Sequence, residues 1–136
     1  MKLKFITPEK AAPVYRASVH RTGKIGFTIE TAEHFKINVD KSLALAINED
    51  DVNDKCLYGV LNDGLAENAY KIMKAGKYHS VSAKSFFETV GIDFSKGDVS
   101  YTINEIEIDG AKMLKFTPRN IEKRAEKIEE KLNING

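Results

Sequence analysis

Cysteine, long apolar runs and net charge are all scarce in this chain, and each scarcity excludes a class of protein. Cys56 is the one cysteine among 136 residues, which rules out an internal disulfide and is typical of a reducing compartment. The longest purely apolar run, residues 43–47, is far too short to span a bilayer. Residues 1–8 carry charge but lack the apolar stretch of a secretory signal. We therefore expect a cytoplasmic protein with no membrane partner.

The net charge is only +1, so the chain lacks the overall basic character of many DNA-binding domains. Its charges are nevertheless segregated along the sequence. Residues 68–84 contain four lysines and no acid, whereas residues 49–67 contain six acidic residues and one lysine. Segregated charge produces local fields even where the total nearly cancels.

Motifs for catalysis are missing from the sequence. The Gly-Lys pairs at residues 23–24 and 76–77 lack the upstream glycine and the following Ser or Thr of a phosphate-binding loop. The three histidines are His20, His34 and His79. No acidic or thiol ligand accompanies them in sequence, which disfavours a metal site. We predict a protein that is not an enzyme and that uses no metal or cofactor.

A pattern of basic residue, small residue, glycine and lysine occurs twice, at residues 21–24 and 74–77. A β-prone run precedes each occurrence, and a strand-like run follows it, most regularly at Ile25, Phe27 and Ile29. A short helix and a hairpin come next in both places, so the order β-β-α-β-β is predicted twice. The alternative is a chance match in a lysine-rich chain, which the shared order of five elements disfavours.

These elements predict a mainly β fold with short helices (α+β), in which two repeats form one pseudo-symmetric, barrel-like core. The predicted boundaries are an N-terminal segment at 1–12, the first repeat at 13–61, a linker at 62–68, the second repeat at 69–117 and a charged C-terminal helix at 118–136.

Helix limits are predicted from single residues. Thr31 is expected to cap a helix at residues 32–36, because its hydroxyl can accept a bond from a free amide of the first turn. Ser82 is expected to do the same for a helix at residues 83–90, which should stop at Gly91.

The last hairpin carries two signals. The apolar parity changes between Ile103 and Ile106, which predicts a bulge near residues 104–105. The dipeptide at residues 109–110, Asp-Gly, predicts a two-residue hairpin turn.

The predicted C-terminal helix has a narrow apolar seam on a strongly charged surface. The seam consists of Ile121, Ala125, Ile128 and Leu132. Seams of this kind pack on the protein's own core or on a dimer mate, so a homodimer is one expected assembly. A protein-interaction or structural module that uses residues 119–132 is an alternative function.

The pair of basic turns is the main functional signal. Seven cations lie on or near the first hairpin of each repeat: Arg16, Arg21, Lys24, Lys71, Lys74, Lys77 and Lys84. A β-ribbon that carries Arg and Lys can enter a DNA groove and displace the counterions condensed on the phosphates. The alternative is that these are ordinary solubilising cations around surface turns. We predict that all seven bind nucleic acid.

Two segments resemble the AbrB/SpoVT swapped-hairpin family of DNA-binding regulators. They are residues 23–29 with the short helix after them, and residues 80–87 followed by Gly-Ile at 91–92 and Gly-Asp at 97–98. The first repeat lacks both dipeptides, and neither repeat has the proline usual after the strand. The resemblance implies a DNA-binding scaffold in which two units complete one barrel. Its DNA contacts would fall on Arg21, Lys24, Lys74 and Lys77.

The leading hypothesis is therefore a transcription-regulator-like protein whose partner is duplex DNA. An alternative is a β-platform that binds single-stranded nucleic acid by stacking bases on exposed aromatic rings. The rings considered for stacking are Tyr15, Tyr58, Tyr78 and Tyr101.

Overall fold

The computed structural model describes residues 1–8 and 13–119 of the chain. In this part of the chain, eight strands and two short helices follow one another. Their bounds are β1 (Tyr15–Val19), β2 (Lys24–Phe27), α1 (Ile29–Phe35), β3 (Lys41–Ile47), β4 (Leu57–Asp63), β5 (Tyr70–Ala75), β6 (Tyr78–Ser82), α2 (Lys84–Val90), β7 (Val99–Ile108) and β8 (Ala111–Pro118). The apolar seam predicted at residues 121–132 lies outside the described residues.

The strands close into one antiparallel barrel in the order β1-β2-β6-β5-β3-β4-β8-β7, with β7 returning to β1. The prediction of a mainly β fold with a barrel core and short helices is confirmed. The β1–β2 hairpin lies between β7 and β6, and the β5–β6 hairpin lies between β2 and β3. Each of these hairpins is thus inserted among strands of the other half of the chain. The set of pairings stays the same when β1 to β4 are exchanged with β5 to β8.

The barrel interior is filled by every second residue of the strands, since successive strand side chains point to opposite faces. Ile25, Val81 and Ile72 form one interior row across β2, β6 and β5, and all three are fully buried. The ring of Phe116 packs edge-on against that of Tyr101, with centroids 6.2 Å apart. Burying side chains of this size stabilises the fold by about 2–3 kcal/mol each.

Helix α1 begins at Ile29, earlier than predicted. Thr28 is its N-cap, and the Thr28 Oγ1 accepts a hydrogen bond from the Thr31 backbone N–H at 3.3 Å. The predicted cap, Thr31, lies buried inside the helix, where its Oγ1 accepts from the Arg16 backbone N–H at 2.8 Å. The prediction was wrong because the Thr31 hydroxyl is hydrogen-bonded to the backbone of β1 and not to an amide of the first helical turn.

Helix α2 begins at Lys84, with Ala83 as an N-cap whose side chain makes no capping bond. Ser82, the predicted cap, is the last residue of β6 and pairs with Lys24 of β2. This cap prediction was wrong because Ser82 is paired with β2 as part of strand β6, so it lies before the helix start and not at its cap. The predicted stop at Gly91 is confirmed, since its φ of 77° is left-handed.

The β7–β8 hairpin has no bulge, because its register runs unbroken through residues 104–105. Strand β1 pairs with β7 only as far as Ile103, so the hairpin beyond it extends past the barrel interior. In this extension, burial does not require the apolar residues to stay on one face of β7. Ile106 therefore lies on the face opposite to Ile103, although no residue is inserted between them. The two-residue turn is confirmed, with φ of 50° at Asp109 and 80° at Gly110.

The two Gly-Lys turns differ in length. Between His20 and Lys24 the loop has three residues, 21–23, which we call turn 1; it is closed by a 2.9 Å bond from the His20 N–H to the Lys24 carbonyl. Between β5 and β6 the register leaves two residues, 76–77, which we call turn 2. Glycine is last in turn 1 and first in turn 2, so the repeated sequence pattern does not occupy matching backbone positions.

Turn 1 is packed against the start of α2. Gly23 is buried with φ of +84°, and a Cβ there would lie only 2.6 Å from the Lys84 Cα. The Gly23 carbonyl also accepts a 3.1 Å bond from the Ala83 N–H. Glycine is therefore required at this position by both backbone conformation and space.

Replacing Gly23 with Ala should destabilise the fold more than Gly91→Ala does. Both positions have positive φ, which costs an L residue about 1–2 kcal/mol. A Cβ at Gly91 meets nothing within 4 Å, whereas one at Gly23 overlaps α2. Overpacking should add about 1–3 kcal/mol at Gly23, measurable by urea unfolding. Equal losses in the two variants would contradict the packing of turn 1 against α2.

Candidate nucleic-acid interface

Four neighbouring strands, β1, β2, β6 and β5, turn their outward side chains to one surface, which we call the basic face. The outward positions alternate with the buried ones and follow from the register. They are Arg16 and Ser18 on β1, Lys24 and Gly26 on β2, Tyr78, Ser80 and Ser82 on β6, and Lys71, Met73 and Ala75 on β5.

No acidic residue occurs in any of these four strands. The acids of the barrel strands are on the remaining strands, with Asp63 on β4 and Glu105 and Glu107 on β7, which borders β1. The charge segregation seen along the sequence therefore becomes a segregation around the barrel. A surface whose strands carry cations and no carboxylate attracts polyanions, even though the net charge is close to zero.

Lys24 and Lys71 lie in one row across the basic face. Lys24 pairs with Ser82, and continuing the β5–β6 register by one residue places Lys71 opposite the same serine. Two strand spacings, about 10 Å, therefore separate the two lysine Cα atoms. Arg16 is exposed on the same face at the other end of β1, where its backbone N–H is bound to Thr31.

The cations near turn 1 are partly occupied by contacts within the protein. The Arg21 side chain lies against Gly97 in the α2–β7 loop, so that a Cβ there would be 3.0 Å from the Arg21 Cγ. The Lys84 Nζ lies 3.9 Å from Glu88 Oε1, in an exposed pair that contributes little to stability.

Turn 2 is not packed tightly against a helix, although Gly76 and Lys77 line a groove that also contains Glu33 of α1. A Cβ built on Gly76 meets nothing within 4 Å, and Lys74 and Lys77 are exposed. Lys74 pairs with His79 on the face of the hairpin opposite the basic face, and both line a groove of about 430 Å³ beside α1. The structure thus places Lys74 and Lys77 at the tip of the hairpin, apart from the row formed by Lys24 and Lys71.

The two turns lie at opposite ends of the β2–β6 pair. Each turn precedes one of these two strands, and the strands are antiparallel. With about 3.3 Å per residue, the turns are roughly 15–20 Å apart along the strands. The predicted cations therefore do not form one cluster but extend along and beyond a single face.

Sequence reasoning missed the small polar residues of this face. Ser18, Ser80 and Ser82 carry hydroxyls that suit phosphate contacts. Gly26 lets the His20 ring lie across β2, since a Cβ there would be 2.9 Å from His20 Nε2. These outward residues alternate along the strands with the buried Val19, Ile25 and Val81. That alternation was the sequence signal that could have identified them.

The four tyrosines considered for base stacking do not form a shared platform. Tyr101 is a core residue with 2% of its surface exposed, and Tyr15 stacks on a histidine ring at 4.1 Å. The Tyr58 hydroxyl donates a 2.6 Å bond to a carboxylate in the β3–β4 loop. Tyr78 is 63% exposed and lies on the basic face.

The acidic stretch forms an ordered loop between β3 and β4, with Asp54 at its centre. The Asp54 carboxylate accepts bonds from the Tyr58 hydroxyl at 2.6 Å, the Cys56 N–H at 2.9 Å and the Asn48 side-chain amide at 3.1 Å. These donors, Tyr58 first, hold the pKa of Asp54 well below its usual range. Burial, followed by its contact with Asp54, raises the pKa of the Cys56 thiol.

Within residues 1–8 and 13–119, no group of three or more His, Cys, Asp or Glu side chains could hold a metal ion. In the same part of the chain, no helix is long and apolar enough to cross a membrane. The histidines instead make local contacts, as His34 does with the rings of Tyr15 and Phe35.

In comparisons with protein-family models, curated proteins and solved structures, this chain matches none. The chemistry of the basic face is therefore the main guide to function.

In the folded protein, the phenol groups of Tyr58 and Tyr101 should lose their protons at higher pH than an ordinary tyrosine does. The bond to Asp54 raises the pKa of Tyr58 from 10.0 to about 12, and burial raises that of Tyr101 to about 12. Both folded values exceed the unfolded one, so this stabilisation is complete below pH 10 and is lost as the pH rises toward 12. Ultraviolet titration should show two late phenolates in the wild type and one in Tyr58→Phe. Loss of a phenolate that titrates near pH 10, with both late ones kept, would contradict the Asp54 contact.

Proposed function

We propose that this protein binds duplex DNA through the basic face, as a transcription-regulator-like protein. The observation that carries the proposal is the register of Lys24, Ser82 and Lys71 across three strands that contain no acid. Each cation held near a phosphate releases a condensed counterion, which favours binding through entropy. The row of Lys24, Ser82 and Lys71 gains this entropy without repulsion between the phosphates and carboxylates of the same strands.

The dimensions of the face suit a duplex. The major groove is about 12 Å wide, with a phosphate backbone along each side. Cations at the two ends of the β2–β6 pair, roughly 15–20 Å apart, would reach both backbones when the strands cross the groove. Arg16, Lys24 and Lys71 then contact phosphates from the face itself, and Lys77 does so from turn 2.

The arrangement of the hairpins also supports the proposed scaffold. We infer that the barrel consists of two copies of one unit, at residues 13–61 and 69–117. The order β-β-α-β-β occurs in both, and exchanging the two sets of strands leaves every pairing in place. Each first hairpin is inserted among strands of the other set, the arrangement expected for a swapped-hairpin DNA-binding protein in one chain. The unequal turns indicate that the two copies have diverged in their exposed parts.

Neutralising two lysines of the face should weaken DNA binding in a salt-dependent way. For a random-sequence duplex, the wild type should lose affinity linearly in a plot of log Kobs against log salt. The Lys24→Gln/Lys71→Gln variant should have a slope smaller by about 2, because each lost phosphate contact removes about 0.9. Fluorescence anisotropy over a salt series measures both quantities.

The matched control is Lys55→Gln/Lys112→Gln, which removes the same charge from outside the basic face. Lys55 lies in the β3–β4 loop and Lys112 on β8, where its Nζ is 3.9 Å from Glu105 Oε1. The control should keep the wild-type slope. Equal effects of the two double variants would mean that only total charge matters, and a flat wild-type slope would exclude DNA binding through this face.

A further inference from the structure

The two first hairpins differ in what they expose on the basic face. On β1–β2 the outward side chains are cationic, small or polar, and turn 1 is held against α2. On β5–β6 two large apolar side chains are exposed instead, with 49% of Met73 and 63% of Tyr78 accessible. The two hairpins contribute alike to the core, since Ile25 and Ile72 are both fully buried.

Met73 and Tyr78 are neighbours on one surface. Met73 pairs with Ser80 and Ala75 pairs with Tyr78, so the two large side chains stand diagonally across the hairpin with only small residues beside them. Diagonal neighbours in an antiparallel pair are about 7–8 Å apart, within reach of long and aromatic side chains. They therefore form one apolar contact surface close to turn 2.

Two lysines border this apolar surface. Lys71 is two residues from Met73 along β5, about 7 Å away, and Lys77 directly precedes Tyr78. A Cβ on Gly76 would meet nothing within 4 Å, so the side of the hairpin tip that faces away from α1 has room to approach a groove floor while the lysines meet the phosphates. The other side of turn 2 borders the groove beside α1. An apolar centre with a cationic rim is complementary to a DNA groove, where bases lie between two charged backbones.

We infer that the β5–β6 hairpin is the element that reads DNA sequence, with Met73 and Tyr78 as its base-contacting residues; this rests on the proposed function. The thymine methyl group is an apolar contact point in the major groove, and the thioether of Met73 and the ring of Tyr78 fit it. The lysines of the face supply affinity that is independent of sequence. The β1–β2 hairpin contributes phosphate contacts and no base contacts.

The test separates sequence discrimination from affinity. A duplex is first selected from a random pool with the wild-type protein, and its Kd is compared with that of a scrambled duplex. Threonine is chosen as the replacement for Met73 and Tyr78 because its β-branched side chain favours the strand conformation. The Met73→Thr/Tyr78→Thr variant should bind the selected duplex at least about tenfold more weakly. Its Kd for the scrambled duplex and its salt slope should match the wild type, and Tyr78→Phe should keep most of the discrimination.

The control variant is Ile47→Thr/Ile108→Thr, which removes exposed apolar side chains outside the basic face and should keep full discrimination. Urea unfolding and sedimentation of all variants should match the wild type. An unchanged ratio of the two Kd values in the Met73/Tyr78 variant would overturn the inference, as would an equal loss on both duplexes or a change of oligomeric state. A wild type that binds DNA without sequence preference would overturn the inference alone, and one that binds no DNA would overturn the proposed function as well.

Discussion

Backbone pairing between β2 and β6 joins the two halves of the barrel at the centre of the basic face. Ile25 and Val81 pair with each other, point inward and are fully buried, so the pairing cannot slip without moving the core. The same register sets Lys24 beside Ser82 on the outside. A one-residue slip would exchange the two faces of either strand. The positions of the exposed cations are thus determined by apolar packing on the other side of the same strands.

Much of the fold could be predicted from local sequence because strand alternation and turn chemistry are local signals. Val99, Tyr101 and Ile103 share one parity and are all buried, and the turn at 109–110 forms as expected. Errors arose where a tertiary partner decides the outcome. Thr28 and Thr31 can both cap a helix, and only the approach of β1 determines which one does. The parity change in β7 looked like a bulge because its sequence does not reveal where β1 stops.

The candidate site was predicted less completely than the fold. Basic residues are conspicuous in a sequence, so the cations of both hairpins were identified, but their neighbours depend on pairing between distant strands. That Lys24 and Lys71 share a row, and that a serine separates them, follows from the contact of β2 with β6 across more than fifty residues of chain. Likewise, the difference between turn 1 and turn 2 arises from α2, which covers only Gly23.

Interleaving of the two hairpins has a consequence during translation. Tyr15 of β1 pairs with Ile103 of β7, so one edge of the first hairpin stays without a partner until most of the chain has left the ribosome. At 5–20 residues per second, the roughly eighty residues between these strands take about 4–16 s to synthesise. An unpaired strand edge can recruit other nascent chains, and charged side chains are a common defence. Arg16 and Lys24 lie in the two strands of that hairpin, so like-charge repulsion between nascent chains would delay aggregation until β7 closes the barrel.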